Sequence, residues 1–347
     1  MVAGCGKVGL SADSWLGWNE ETTYGTLVGP SAGTEYALFS AEGMRGEIQV
    51  LSPPTISDAH REVSQVYTGR QIVSGQVTVP MVYEGFEHLL LHAFGEHTSG
   101  AGTSGTFLRT FDLSSSGRYR NANSPSLSIH MSRGIVGAGS TEPSVFSYAG
   151  CVVDEFSLAC TRDGPLLLTL NFFGREETVA TTSETVSLPT APVANGVECT
   201  ATWGSIEIPV ADWTITARRQ IDRERFFMGS TLSCEPPMGQ YEVMATLNTE
   251  WDNEVRAGST TLRADYAAAT ERQLKFAFQS TADITGTSQP YTLDWLLPKS
   301  VITAFPPSVQ GVGRVLVPMA LTGYDDDTSA LPHEIRLLNV AENTFAE

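Results

Sequence analysis

Hydrophobic and polar residues alternate along most of the chain in short runs rich in Val, Ile, Thr, Leu and Phe, and clusters of Gly, Pro, Ser and Asn separate these runs. Successive side chains of a strand point to opposite faces of a sheet, so the alternation predicts antiparallel strands with one buried face. Pro80 and Pro318 fall inside two of the runs, which places them at sheet edges or bulges because proline has no N–H to donate. The clearest predicted strands are residues 73–82, 126–131, 150–160, 166–173, 213–217, 241–251, 273–278 and 314–321.

Two segments replace this alternation with helical spacing. In residues 85–95 (GFEHLLLHAFG) apolar side chains recur every three or four positions, and glycines bracket the run. A weaker pattern of the same kind covers residues 259–270 (STTLRADYAAAT). Each predicted helix follows one predicted strand and precedes another.

The shared order of strand, helix, strand and closing hairpin predicts an internal repeat. An ungapped offset of 170 places residues 69–84 over residues 239–254, and the closing hairpins are residues 148–174 and 291–323. Residues 178–196, rich in Thr, Ser, Pro and Ala, have the composition of a linker. The sequence therefore predicts a mainly β protein with a first module at residues 1–177, a linker at 178–196 and a second module at 197–347, each module with one flanking helix.

Composition and charge narrow the class of protein. The 347 residues are 41% hydrophobic and 17% charged, and no run reaches the roughly 20 apolar residues that cross a bilayer, so we expect a soluble protein without a membrane partner. The formal net charge of −18 excludes a protein that grips the phosphates of nucleic acid along its backbone. The acidic surface either serves solubility alone or forms a wall past which DNA slides.

The five cysteines do not form the pairs expected of a metal site or a disulfide framework. Their number is odd and no CxxC spacing occurs, so we expect reduced, mostly buried thiols in a protein made in the cytoplasm. The cysteines are Cys5, Cys151, Cys160, Cys199 and Cys234.

The motifs that carry chemistry are incomplete. Residues 4–9 spell GxGxxG, but no predicted strand precedes them and no helix follows, so the geometry that cradles a phosphate is missing. His88 and His92 stand four residues apart and His97 follows, without the glutamate of HExxH or a clear third ligand. Residues 325–327 are three aspartates without the alternating ligands of a calcium loop. No nucleophile elbow or Cys-His grouping is present, and we predict no catalytic residue, cofactor or metal.

Several motifs, taken in order, resemble the tail tube proteins of long, non-contractile, siphovirus-type bacteriophage tails. Residues 16–26 (LGWNEETTYGT) are similar to the opening of that family, with acidic residues before Thr-Tyr-Gly-Thr. The VSGQVTVP strand at residues 73–80, the helix start YEGF at 83–86 and the strand that begins YAGC at 148–151 follow in the same order. The resemblance covers residues 16–174 well and the second half more loosely.

That resemblance implies a structural subunit without an active site. Each module would be a tail-tube-type β-sandwich or barrel with one flanking helix, and subunits would close into rings around a continuous inner barrel. Single-domain members are taken to form hexamers, so a doubled chain implies a trimer with pseudo-sixfold symmetry. The rings would stack into a tube in the virion tail, assembled in the host cytoplasm, with DNA passing through a negatively charged channel without specific binding. Tape measure, distal tail and terminator proteins are the implied partners besides the chain itself.

Two loops carry arginines in an otherwise acidic chain, and each loop precedes one of the two strands that the internal repeat aligns. They span residues 57–69 and 218–234 and mix basic with acidic groups. Because the guanidinium group binds carboxylates through two parallel hydrogen bonds, we expect these loops to pair with a neighbouring ring, unless they are simply solvated hairpin tips. The candidate inter-ring contacts are Arg61, Arg218, Arg219, Arg223 and Arg225.

Three alternatives remain. A tail terminator or a subunit of a secretion tube would share the fold, although the doubled chain argues against both. A two-domain carbohydrate-binding β-sandwich would need exposed aromatic platforms, whereas tryptophans more often anchor cores or interfaces. An enzyme with a dispersed active site is the third. The tryptophans that decide the second alternative are Trp15, Trp18, Trp203, Trp213, Trp251 and Trp295.

Overall fold

A computed structural model describes most of the chain, and it is mainly β, as the alternation predicts. The described residues are 14–31, 33–52, 66–101, 106–112, 125–133, 145–180, 186–250, 262–284, 286–306, 315–324 and 334–339. No helix among them is long and apolar enough to cross a membrane. The GxGxxG run, Cys5, Arg61, Trp251 and the three aspartates of residues 325–327 lie outside the described residues.

Strands account for most of the described chain. Those of the first half are β1 (Trp15–Glu21), β2 (Glu35–Ala37), β3 (Ala41–Glu42), β4 (Arg45–Leu51), β5 (Tyr67–Pro80), β6 (Glu96–Ala101), β7 (Phe107–Asp112), β8 (Ser126–Ser132), β9 (Val145–Thr161), β10 (Leu167–Gly174) and β11 (Glu176–Ala180). Those of the second half are β12 (Cys199–Trp203), β13 (Ile206–Glu207), β14 (Val210–Ile221), β15 (Met238–Glu250), β16 (Arg272–Asp283), β17 (Pro290–Ala304), β18 (Leu316–Gly323) and β19 (Glu334–Asn339). All eight strands predicted from alternation are confirmed, most of them longer than the pattern indicated.

The two prolines predicted at edges or bulges lie where their strands have one neighbour among the described residues. In β5, pairing with β3 reaches only Thr78, two residues before Pro80. In β18, pairing with β17 stops at Ala320, two residues after Pro318. Each proline keeps a neighbour on its other side, so the N–H that it lacks falls on the open edge.

Both predicted helices are present, as α1 (Glu87–Phe94) and α2 (Leu262–Ala268). Gly95 ends α1 in the left-handed conformation, with φ of 109°, and its N–H returns to the carbonyl of Leu91. Helix α1 is buried on nearly all sides because it packs between the two halves. The ring of Phe94 lies 5.3 Å from that of Phe156 in β9 and 5.7 Å from that of Trp295 in β17.

One antiparallel sheet, here called the main sheet, runs through both halves. Its order is β4, β5, β10, the C-terminal part of β9, β14, β15, β18 and the C-terminal end of β17. The link between the halves is the pairing of β9 with β14, from Thr161 opposite Asp212 to Glu155 opposite Arg218. The sheet therefore continues across the boundary between the predicted modules without a break.

The N-terminal parts of the two long strands leave the main sheet and join further pairings. In the first half β9 pairs with β8 and β11, and β8 also pairs with β1, which pairs with β2. In the second half β17 pairs with β16 and β19, and β16 also pairs with β12, which pairs with β13. The same succession of pairings thus occurs in both halves. A further hairpin, β6–β7, attaches to β19.

The segment predicted as a linker is held to its surroundings at both ends. Residues 176–180 form β11 against β9. Near the other end, Ala194 is buried, accepts a hydrogen bond from Leu166 and donates one to the carbonyl of Met81. These contacts fasten the described parts of the segment onto the first half rather than leaving it to cross open surface.

A buried imidazole makes the fold sensitive to acid. His130 in β8 is fully buried, with Nδ1 2.9 Å from the Ser147 hydroxyl and Nε2 3.2 Å from the Asn19 amide oxygen. Burial lowers the pKa of His130 to about 4. The unfolded chain takes up this proton near pH 6.5 and the folded chain does not, so the stabilisation is complete above that pH and is lost as pH falls towards 4.

We therefore expect the free energy of unfolding to fall by about 2 kcal/mol from His130 alone between about pH 7 and pH 5. Urea unfolding of the wild type and of His130→Gln at both pH values measures it. The variant is expected to be less stable at neutral pH and to lose this part of the acid dependence. An identical pH slope in the two proteins would contradict the assignment.

Candidate functional surface

The exposed face of the main sheet is a surface that both halves build together. Paired residues of neighbouring strands share a face, so the register identifies its members. The other face is apolar and buried, with Val77, Leu170, Leu158, Ile215 and Leu321 each at most 2% exposed. One row of residues on the exposed face, followed strand by strand, is Thr78, Thr169, Ser157, Thr216, Met244, Thr322 and Val301.

Hydroxyl and other small side chains dominate this face, which we call the threonine face. A second row, parallel to the first, consists of Leu167, Ala159, Thr214, Thr246 and Ala320. Some of the hydroxyls are engaged with each other or with the backbone. The Oγ1 atoms of Thr78 and Thr169 are 3.1 Å apart, and Thr303 donates to the carbonyl of Ala320 at 3.1 Å.

The carboxylates Glu155 and Asp212 on the threonine face are engaged in hydrogen bonds within the chain. Glu155 accepts hydrogen bonds from Asn171 at 3.2 Å and from the guanidinium of Arg218 at 2.9 Å. Asp212 accepts from the amide of Asn248 at 2.7 Å. Phosphate groups bind to arginine, lysine and clustered N–H donors. Arg218 lies on the same face beyond the two rows and is already held by Glu155, so the described face offers a phosphate backbone little to bind.

Two of the predicted arginine contacts fasten the halves of the chain together. Arg218 of β14 binds Glu155 of β9, and Arg223 binds Asp154, the residue before it. Both arginine side chains remain more than half exposed, at 62% and 52%. Their role within one chain is to close the β9–β14 junction, which sequence patterns did not indicate.

Arg219 is placed differently from the prediction. It is 2% exposed, and its guanidinium donates to the carbonyls of His92 and Ala93 in the last turn of α1. A cation at the C-terminal end of a helix satisfies carbonyls that lack partners within the helix. The expectation that Arg219 contacts another ring is therefore corrected, because alternation along β14 turns this side chain into the core.

The loop of residues 222–237 carries the last of the described arginine candidates and an exposed apolar tip. Arg225 donates to the carbonyl of Glu235 and lies over the ring of Phe227 at 5.9 Å. Phe227 is 59% exposed and Met228 is fully exposed. The loop is tied to β5, since Arg70 pairs with Glu224 and the N–H of Gln71 donates to the carbonyl of Thr231 at 2.8 Å.

The residues that flank the other arginine-bearing loop, residues 57–69, also form an exposed apolar surface. Its described base is the far end of the β4–β5 hairpin, where β4 is exposed along most of its length. Ile48, Val50, Val66 and Tyr67 are each more than half exposed. Clusters of solvent-exposed apolar side chains are typical of protein–protein interfaces.

The histidines of α1 bind carboxylates rather than forming a metal centre. Nδ1 of His88 lies 2.6 Å from Glu35, and Nε2 of His92 lies 3.1 Å from Glu20. Burial lowers the pKa of His88, but the hydrogen bond and charge of Glu35 outweigh it and raise the pKa above its ordinary value; for His92 burial prevails and the pKa is lowered. Within the described parts of the chain, no group of three His, Cys, Asp or Glu side chains could hold a metal ion.

The remaining side chains singled out from the sequence are mostly buried. Cys151 and Cys160 are buried free thiols, and Cys199 and Cys234 are partly buried. Among the described tryptophans, Trp15 is partly buried and the other four are at most 5% exposed, which fits core anchors rather than sugar-binding platforms. Those four are Trp18, Trp203, Trp213 and Trp295.

Comparison with known proteins gives one positive result. A family model described as "Phage tail tube protein" matches residues 11–323. The match covers most of both halves, including all of the main sheet. No curated protein matches the chain.

Proposed function

The chain belongs to the phage tail tube protein family, and from this we propose that it is a structural subunit whose copies close into rings and stack into the tube of a long, siphovirus-type tail. The single observation that carries the proposal is the main sheet. It joins both halves, it presents one hydroxyl-rich face, and it ends at β4 and at the C-terminal end of β17, each of which pairs with one strand among the described residues. Such a sheet is suited to be one segment of a larger closed wall.

The subunit is a duplication, and three copies form a ring with pseudo-sixfold symmetry. Support comes from the pairing order, which is the same in both halves. It also comes from Trp18 and Trp203, which occupy matching places in β1 and β12 and each donate an indole N–H to a carboxylate, of Glu35 and Asp265 respectively. The two modules of one chain would then meet as modules of neighbouring chains do. Three chains therefore supply six modules, the same number as a hexamer of single-domain subunits.

The threonine face lines the channel through which DNA passes. Hydroxyls, hydrogen-bonded carboxylates and an arginine already bound to Glu155 provide few sites for phosphate, so DNA can slide without specific binding. Three chains together carry a formal net charge of −54, three times the −18 of one chain, which adds a repulsive potential around the DNA. A structural role of this kind needs no catalytic residue.

The two arginine-bearing loops contact the next ring along the tube. In the sequence, residues 57–69 and 218–234 precede the matching strand segments at residues 73–80 and 243–250, and Arg70, just after the first loop, pairs with Glu224 in the second. Exposed apolar side chains at the base of one and the tip of the other supply surface to bury, while Arg218, Arg223 and Arg225 supply partners for carboxylates of the neighbour. Arg61 shares this role by its position in the sequence. Tape measure, distal tail and terminator proteins bind the ends or interior of the tube, which is assembled in the host cytoplasm.

Electron microscopy of the purified protein tests the proposal. We expect rings or stacked tubes with a central opening, and we expect the charge reversal Arg225→Glu, which leaves the pair of Arg223 with Asp154 in place, to keep the subunit folded while shortening or abolishing tubes. Lys299→Glu, on another strand, is the matched control for added negative charge. A wild-type protein that stays monomeric at high concentration would contradict the proposal.

A further inference from the structure

Strand β9 pairs with four strands, two along its N-terminal part and two along its C-terminal part. Its N-terminal part lies between β8 and β11, and its C-terminal part lies between β10 and β14. Strand β17, its counterpart in the second half, lies between β16 and β19 and then pairs with β18. Among the described residues, the fourth neighbour of β17 is missing.

The opposite end of the main sheet lacks the complementary strand. In the second half β14 lies between β15 and β9. Its counterpart in the first half is the pair β3 and β4, which contacts β5 on one side and has no strand on the other within the described chain. In the second half the neighbour of β14 is β9, and the counterpart of β9 is β17, so the strand missing beside β4 is one like β17. By the same correspondence, the strand missing beside the end of β17 is one like β4.

Matching irregularities align the two halves residue by residue. The pairing of β14 with β15 shifts between Arg219 and Ile221, and that of β4 with β5 shifts between Ile48 and Val50. Gly46 therefore corresponds to Ala217, and Glu47 corresponds to Arg218. A shift at a matching place is strong alignment evidence because a bulge moves every later residue of the strand.

The same argument aligns the long strands. The pairing of β9 with β10 leaves Asp154 unpaired, and the pairing of β17 with β18 leaves Thr303 unpaired. Residues 152–156 (VVDEF) thus correspond to residues 301–305 (VITAF). Glu155 therefore corresponds to Ala304, and Arg218 corresponds to Glu47. The paired residues Arg218 and Glu155 inside the chain thus have Glu47 and Ala304 as their counterparts at the two open edges.

We propose that β4 of one chain pairs antiparallel with the end of β17 of the next copy, with Glu47 opposite Ala304 and Gly46 opposite Phe305. The proposal rests on the proposed function and adds the strands and the register that join the copies. The partner must be a second copy, because eight strands spaced by about 4.8 Å put the two edges of one sheet roughly 34 Å apart along it. The described part of this interface is short, since Pro306 follows and has no N–H to donate.

Charge distinguishes the two junctions. Inside the chain the 2.9 Å ion pair of Arg218 and Glu155 spans the strands. Between copies Ala304 carries no charge, and Glu47 is instead bound by Arg45 of its own strand at 2.8 Å. The junction between copies is thus formed by backbone pairing without that ion pair. In the single chain the N–H of Gly46 on this edge donates to the Glu177 carboxylate at 2.9 Å, so pairing must displace Glu177, and this keeps subunits separate until assembly begins.

A cysteine pair tests the register. Directly paired residues have Cα atoms about 4.5–5.5 Å apart, a separation that a disulfide spans. We expect the variant Glu47→Cys with Ala304→Cys, assembled and then oxidised, to give covalently linked oligomers on a denaturing gel. Glu47→Cys with Leu316→Cys is the mismatched control, because Leu316 lies in β18 and pairs with Glu250. The variant Glu155→Cys with Arg218→Cys is the positive control and should link within one chain.

The outcomes separate the register from the function. Oligomers from the matched pair alone support the register. Tubes seen by electron microscopy that link no better through the matched pair than through the control would overturn the register and leave the tube function standing. Protein that forms neither assemblies nor links, while the positive control links and shows a folded chain, overturns both.

Discussion

Replacing Glu21 with leucine is expected to lower the free energy of unfolding by about 4 kcal/mol or more, since each buried donor left unsatisfied costs about 1–3 kcal/mol. The Glu21 carboxylate is fully buried. It accepts hydrogen bonds from the hydroxyls of Ser126 and Ser128, at 2.6 and 2.7 Å, and from the backbone N–H groups of Gly25 and Gly150, at 2.8 and 2.9 Å. Leucine fills the space and accepts none of the four.

The consequence extends beyond one strand because Glu21 joins distant parts of the sequence. Gly25 and Gly150 both adopt left-handed backbone, with φ of 71° and 68°, and both lie against the side chain of Arg175. Urea unfolding measures the loss, and Glu207→Leu on the exposed surface is the matched control, expected to change stability by less than about 0.5 kcal/mol. Equal stability of Glu21→Leu and wild type would show that this carboxylate does not hold β1 to β8 and β9.

Placing lysines on the threonine face is expected to slow DNA release from assembled particles about tenfold or more without preventing tube formation. Ser157→Lys, Thr216→Lys and Thr246→Lys in one chain would add three ammonium groups to a face on which Arg218 is already bound by Glu155. Each added lysine is repeated in every chain of every ring and gives phosphates a partner that the wild type lacks.

The measurement is the rate at which triggered particles release DNA, followed by dye fluorescence at several salt concentrations. Ser157→Glu, Thr216→Glu and Thr246→Glu form the matched control, since they alter the same side chains but repel phosphate. Retardation by the lysines should weaken as salt rises, because screening and counterion release govern such contacts. Equal release rates for the two triple variants would mean that this face does not contact DNA.

Much of the fold follows from local pattern. Alternation identified the strands around Val77 and Leu247 because one face of each packs on the core. The helix at residues 85–95 was recognisable from its apolar spacing and from Gly95, which ends it. The motifs at residues 16–26 and 148–151 gave the resemblance, and the structure supplies a physical reason for their association, because Glu21 in the first binds Gly150 in the second.

The rest depends on contacts between distant residues. Alternation along β14 turns Arg219 inward and Arg218 outward, but no local signal shows that an inward arginine has a partner; only the fold brings α1, whose end Arg219 caps, against β14. The short strands β2, β3 and β13 have too few residues to show a period. Pairing of β9 with β14 also escaped sequence reasoning, because strand propensity does not specify which edge a strand joins.

The buried pair of Glu87 and Arg109 illustrates the same limit. Both side chains are at most 2% exposed and lie 2.8 Å apart, and Glu87 also accepts the N–H of Gly85 ahead of α1. In the sequence they are an ordinary glutamate at a helix start and an arginine in a short strand. Only tertiary packing, which brings β7 against α1, converts them into a buried ion pair.

A cross-section of the assembled particle by cryo-electron microscopy shows whether the main sheets form the wall of a channel. Main sheets of successive copies should join around a central opening, three chains to a ring, with Thr169, Ser157, Thr216 and Thr246 facing that opening. Particles whose threonine face points outward, or whose sheets do not meet around an opening, would contradict the account.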